Sequence, residues 1–514
     1  LIYKKALFAA GIFSLLVCAA AQQQAPTEVL SAIQRLLQSG DVKQADELAA
    51  GLVRGHPDAY AAYEALGRVR DREQRYQEAE KAYQRAIELA PAAAGPHVSL
   101  GVSYVQRDLP AQALKEFQVA LEKDPGNLTA LLNAASLELS AGQFANAEEH
   151  YRRASQMAPS DAVPLLGLAT AEFGAGHTDA ASQTARMLAR TDDPQVHFSL
   201  GLLFARNSMY PEAEREFGQA AAKIPNSAEI FLNLGMVCSA QQKYAAAKEK
   251  YFQSIELNPA DPSPYVRIGS DYLAQNKSNL ALAWLYRAAK LDNGAPGTLF
   301  LLGRAMLNEE YFQTAHDYLA KYVEAKPTDP KGWLLLGDAY LNDERLEEAL
   351  ASYQKALAIV PQAATAHYLV GNALYLLKRL PESRKELLEA LRLDPSHPEA
   401  QLRLGELEYR ENQDDSAAAR FRALLAAHPA DAEAAYDLAK VYMRHDQNPE
   451  ARDLMIKAVA QSPDDIRFHY LLSQVCRRLQ EDERSSQEAS TYARLKAEQD
   501  YQHKFIRHSH LYVE

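Results

Sequence analysis

The chain has 514 residues, with 55 Lys and Arg against 67 Asp and Glu and a formal net charge of −12. That balance favours solubility and speaks against a nucleic-acid partner, because binders of phosphate backbones concentrate Lys and Arg on one face and no such stripe is present. The three cysteines, Cys18, Cys238 and Cys476, form no CxxC pair, and no HExxH, GxSxG or GxxxxGKS/T occurs, so zinc, a disulfide framework, catalysis and a cofactor are not expected.

Residues 1–21 differ in kind from the rest. Lys4 and Lys5 precede an apolar run from Ala6 to Val17, and Ala19, Ala20 and Ala21 supply small residues before Gln22. This pattern predicts a signal peptide over 1–21 and a polar linker over 22–27, hence an exported protein, periplasmic or secreted. The run is too short to span a bilayer, which needs about 20 apolar residues, so no membrane span is expected after cleavage. Anchoring through an uncleaved N-terminus or a lipid on Cys18 is the alternative, but Val17 stands where a lipidation signal wants a small residue.

From there one unit recurs, and it is clearest over Pro330–Ala363. Apolar residues fall at three- and four-residue steps in Trp333, Leu336, Gly337 and Tyr340, and again in Leu346, Ala349, Leu350, Tyr353, Ala356 and Leu357, which predicts two amphipathic helices. Asp329 can cap the first, with Pro330 at its first turn; Pro361 stops the second. The place of Gly337 recurs at Gly67, Gly101, Ala135, Ala169, Gly201, Gly235, Gly269, Gly303, Gly371, Gly405, Ala439 and Ser473. That of Ala349 recurs from Ala45 and Ala79 to Ala451 and Ser485. All but one step is 34 residues. A hairpin that cannot bury its own face must stack on copies of itself.

With Pro330 as position 1, positions 4, 7, 8, 11, 20, 24, 27 and 32 are Trp333, Leu336, Gly337, Tyr340, Ala349, Tyr353, Ala356 and Pro361. This set resembles the tetratricopeptide repeat (TPR). The resemblance implies an all-α, right-handed TPR superhelical solenoid of about 14 helix-turn-helix hairpins between Pro26 and Asp500, degenerate at its ends. The array divides into a first part, 28–193, and a second part, 194–500, that ends in a capping helix; a polar tail, 501–514, follows. The hairpin 162–193 is two residues short and carries Ala185 and Leu188 where an aromatic and a small residue are usual, so it is the expected kink. Asn293-Gly294 in place of the closing proline, and Tyr322 in place of Ala, mark a second irregularity. His97, His197, His367 and His469 all fall at position 4 and are expected to pack; Cys238 and Cys476 fall at position 11 as buried small hydrophobes. His503, His508 and His510 lie in the tail, which offers a metal no fixed geometry.

In such repeats the first helices line a concave groove through positions 2, 5, 9, 12 and 13. Here the expected groove is apolar at first, with Val98, Val102, Leu132, Phe198, Leu202 and Met236 beside Arg206. It then becomes polar and aromatic, through Arg304, Asn308, Lys331, Asp338, Tyr368, Asn372, Tyr375, Glu406, Tyr409, Arg410, Tyr436, Lys440 and Arg444. Tyr375, Tyr409 and Arg410 are expected as exposed contacts; the apolar residues serve equally well to pack adjacent first helices. The resemblance implies a non-catalytic scaffold or adaptor that binds a protein or peptide segment, with a bacterial style of repeat. The rival readings are an assembly factor for envelope polysaccharide-export or pilus machinery and, from another class, a ligand- or metal-binding regulatory subunit. The oligomeric state is not written in the sequence.

Overall fold

A computed structural model of the protein describes residues 27–509, with side chains through residue 500. The signal peptide, the linker up to residue 26 and the tail histidines' side chains lie outside the described residues. Among those described there are 28 helices and no strand. The chain divides into two compact units, Leu1–Asn258 and Pro259–Glu514. In the first, seven hairpins run from Thr27–Ser39 with Val42–Gly55 to Ala228–Ala240 with Tyr244–Leu257. In the second, seven run from Ser263–Ala274 with Ser278–Leu291 to Ile466–Arg478 with Asp482–Ser509.

Each hairpin closes in the same way. A residue just past the end of the first helix turns into the left-handed region, as at Asp108 (φ 57°) and Glu344 (φ 60°), each the second residue beyond the helix, and the next N–H returns to a carbonyl in the last turn. Leu109 N–H reaches the Tyr104 carbonyl at 2.9 Å and Arg345 N–H the Tyr340 carbonyl at 2.8 Å. This satisfies carbonyls that the helix end would otherwise orphan. Many first helices start on a side-chain cap, for example Asp329 accepting from Lys331 N–H at 3.0 Å, as its place before Pro330 predicts.

The helices of a hairpin are held together by one contact repeated along the chain. A Cβ added at Gly101 would lie 2.7 Å from the Phe117 ring, at Gly235 2.4 Å from Tyr251 and at Gly337 2.4 Å from Tyr353. Position 8 is therefore small because position 24 fills its space. The short hairpin shows the converse: Ala169 and Ala185 are both small and both fully buried, and its second helix, Thr178–Leu188, has 11 residues instead of 14. Tyr322 is similarly compensated, because its ring lies where Gly332 leaves room and its hydroxyl donates to Asp329.

Within each unit, successive helices pack in sequence, and first helices also pack on first helices of neighbouring hairpins. Such packing gathers the exposed faces of the first helices into one continuous surface in each unit.

Candidate partner-binding face

In the first unit most of that surface is committed to packing. Val98 and Val102 lie partly buried against a core built from Leu100, Phe117, Leu131 and their neighbours. Leu132 is enclosed within this core, 6% exposed, so of the two uses open to the apolar groove residues it serves packing and not partner contact: the neighbouring helices close over it. Phe198 and Leu202 pack on the next core, with the Phe198 ring 5.6 Å from that of Phe217. Met236 is half-buried, and Arg206 is exposed.

The second unit is chemically different. Arg304 and Lys331 are exposed, while Asn308 donates to Ser278 at 3.0 Å. Asp338 accepts the Tyr353 hydroxyl at 2.7 Å; burial pushes its carboxyl above the ordinary range, and that bond offsets part of the push. From the helix Ala364–Leu376 onward, rings and cations alternate between neighbouring first helices. The guanidinium carbons of Arg403 and Arg410 lie 4.8 and 4.6 Å from the centre of the Tyr375 ring. Arg444 lies 3.6 Å from the centre of Tyr409, and Lys440 Nζ lies 5.0 Å from Tyr409 and 5.1 Å from Tyr436. Such cation–π contacts are worth about 0.5–1 kcal/mol at exposed sites and more when dry.

Three expectations are corrected in this region. Tyr375 is 6% exposed rather than open, because two arginines from the next first helix fold over it. Burial, with the Glu406 carboxylate beside it, pushes its hydroxyl up to about 12, so the hydroxyl stays protonated. Asn372 is 7% exposed. Tyr409, also expected as an exposed contact, is half-buried, because Arg444 and Lys440 of the next first helix lie over its ring. Arg410 keeps its exposed position, and Tyr368, Tyr436 and Glu406 are half-buried.

The cations are unequally neutralised. Arg403 pairs with Glu406 at 2.6 Å, Lys440 with Asp437 at 2.7 Å and Arg444 with Asp414 at 2.5 Å. Arg410 has no ion-pair partner among the described residues. Asp437 is 4% exposed; burial raises its carboxyl to about 6, with Lys440 pulling the other way. Burial works against the Lys440 charge, but Asp437 outweighs it and lifts the amine.

Sequence reasoning missed Arg403 and Asp437, since position 6 was not counted as groove; their signal was an opposite charge three residues on, at Glu406 and Lys440. It also missed a pairing at position 4. His97, His197, His367 and His469 do lie at helix packing faces, and each places Nδ1 2.6–2.8 Å from a glutamate nineteen residues later, at Glu116, Glu216, Glu386 and Glu488. Cys238 and Cys476 are buried and free, and burial raises the Cys476 thiol to about 11. Among the described residues no group of three or more His, Cys, Asp or Glu could hold a metal, and no helix is long and apolar enough to cross a membrane.

No curated protein matches the chain in sequence. Among solved structures, the Cut9–Hcn1 hetero-tetramer of the APC/C is similar with 13% identity and a TM-score of 0.40, over 86% of this chain and 95% of that one. Yeast Tom70 is similar with 16% identity and a TM-score of 0.33, over 86% and 96%. Likeness at this level carries no argument about function. Family models are more informative. One tetratricopeptide-repeat model matches residues 30–94, 98–162, 200–263, 300–364, 334–398 and 382–432, and a second matches 138–200 and 408–475. With the hairpins, the Gly–aromatic contacts and the 34-residue period, these matches establish that the chain belongs to the tetratricopeptide repeat family.

Proposed function

We propose that this protein is a non-catalytic interaction scaffold that holds segments of a protein partner along the first-helix face of its second unit. The observation that carries this reading is the row of cations on rings at Tyr375, Tyr409 and Tyr436, on three successive first helices. Tyr and Arg are the residues that most often dominate binding energy at protein interfaces. Here their side chains are held in place by one another, so little conformational entropy remains to be lost when a partner arrives. The apolar face of the first unit is spent on its own packing and contributes mainly stiffness.

The setting we propose is the envelope of the source cell. It rests on the basic, apolar and small-residue order of residues 1–21, which fits export and signal removal. Within that setting, assembly of polysaccharide-export or pilus machinery is the role that suits a long array of binding hairpins. The test is affinity capture with residues 22–514 from an envelope extract, followed by mass spectrometry, with Tyr409→Ala/Arg410→Ala run in parallel. The double variant should keep the wild-type helical circular-dichroism spectrum at the assay temperature, with its melt lowered by the lost packing of Tyr409, and should lose the captured partner. Retention at wild-type strength would remove this face from the reading, and absence of the protein from the envelope fraction would remove the setting.

A further inference from the structure

We propose that His197, His367 and His469 are proton-dependent joints, each tying its hairpin to the loop from the preceding one while the histidine–glutamate pair keeps a shared proton and loosening when that proton leaves. This goes beyond the scaffold reading and stands without it. The argument starts from a carbonyl. In several hairpins the position-4 side chain donates to the main-chain oxygen six residues earlier, in the loop that arrives from the hairpin before. Trp333 Nε1 reaches the Pro327 oxygen at 2.9 Å, Gln401 Nε2 that of Pro395 at 3.1 Å and the Tyr265 hydroxyl that of Pro259 at 3.3 Å. The three histidines take the equivalent carbonyl with Nε2: His197 at 3.0 Å from Thr191, His367 at 3.2 Å from Pro361 and His469 at 2.9 Å from Pro463.

The other ring nitrogen also faces an acceptor. Nδ1 lies 2.8, 2.7 and 2.6 Å from the carboxylates of Glu216, Glu386 and Glu488, on the second helix of the same hairpin. A carbonyl and an ionised carboxylate both only accept, so the two contacts need two protons: one on Nε2 for the loop, and one between Nδ1 and the carboxylate, on whichever atom it rests. A neutral imidazole beside an ionised glutamate has one too few. A nitrogen lone pair then meets an oxygen, and burial keeps water from relieving it, since His197, Glu216 and His469 are 6%, 2% and 5% exposed. His97 makes only its glutamate contact among the described residues, and one N–H satisfies it. The other charges at these joints leave the proton count unchanged: Arg215 bonds the second oxygen of Glu216 at 3.1 Å, Glu389 near His367 is paired with Arg392, and Cys476, Glu481 and Arg484 lie near Glu488. Histidine changes charge between about pH 5 and 8, so the joints close on the acid side of that range and loosen on the alkaline side.

The test is hydrogen–deuterium exchange of residues 22–514 at pH 5.5, 7 and 8.5, read by mass spectrometry, with each rate divided by that of the unfolded chain at the same pH. Protection over 190–198, 360–368 and 462–470 should fall at least fivefold from pH 5.5 to 8.5. Over 326–334, where Trp333 makes the same loop contact without a titrating group, it should hold within twofold. His367→Gln supplies the side chain that Gln401 already uses for this contact, so it should fold normally and hold 360–368 constant with pH while 462–470 still falls. Glu386→Gln should flatten the same segment, because its amide can donate to a neutral Nδ1. An equal fall over 326–334, absence of the fall in wild type at any of the three histidine segments, or an undiminished fall over 360–368 in both variants would overturn the proposal.

Discussion

The two units are built from the same hairpin and present opposite chemistry on the same face. In the first, positions 5 and 9 carry Val98, Val102, Leu202 and Met236, largely drawn into the cores beneath them. In the second, Tyr368, Glu406, Tyr436 and Lys440 occupy those positions and interact with one another and with the next helix. The lesson is that the repeat signature fixes the contacts within a hairpin and leaves the face between hairpins free to vary. Apolar residues there are used up by stacking; charged and aromatic ones leave polar edges available.

The hairpin lock should matter most and equally in both units. Phe217→Ala and Tyr353→Ala each empty a fully buried site and should cost about 3–5 kcal/mol in urea unfolding followed by circular dichroism. Because repeats couple chiefly to their neighbours, each loss should be concentrated in its own unit; an equal loss throughout the chain would show that the two unfold as one. The contrast between faces is tested next. Leu202→Ala should cost about 2 kcal/mol, as a partly buried packing residue, whereas Arg410→Ala should cost less than about 1 kcal/mol, as an exposed cation on a ring. Equal costs would end the distinction between a packing face and a binding face.

A third measurement concerns Asp437, a buried carboxyl within the second unit's row of cations and rings. The folded state holds the Asp437 proton up to about 6, while an unfolded aspartate releases its proton near 4. The folded state therefore binds more protons between those values, so the contribution of Asp437 to stability is fully present below about 4 and is lost as pH rises through about 6. Asp437→Asn should flatten that slope, matching wild type at pH 4 and exceeding it at pH 7.5 by on the order of 1 kcal/mol, after the loss of the Lys440 pair is set against the gain. Melts at pH 4, 6 and 7.5 check it; a steeper slope in the variant would contradict the assignment.

The smallest expected effect lies in the turns. The first unit places Gly40, Gly142 and Gly176 at the left-handed closing position of three hairpins, whereas the second uses only non-glycine residues there, such as Glu344 and Lys378. Lys378→Gly should stabilise by about 0.5–1 kcal/mol and Gly142→Ala should destabilise by a similar amount, read as opposite shifts in thermal midpoint.

Much of this was legible because a solenoid's contacts are local in sequence. Gly337 and Tyr353 meet sixteen residues apart, and so do Gly101 and Phe117, so a one-dimensional pattern records a three-dimensional contact. Pro330, Asp329 and Pro361 likewise mark helix ends by backbone chemistry alone. The candidate face was legible only as a set of positions. Nothing in the residue types of Tyr375, Arg403 and Arg410 says that two of them cover the third, since that depends on how far one first helix stands from the next.

The sequence by itself determined the all-α architecture, the count of hairpins and the identity of the residues that lock each one, because period, caps and small–large pairs act within a few turns of chain. Only the tertiary structure decided that Leu132, Asn372 and Tyr375 are closed while Arg410 is open, and that Asp437 carries a raised pKa beside Lys440. Exposure and charge pairing across the face are set by side chains of adjacent helices about 34 residues apart, whose reach and stacking no single helix pattern contains.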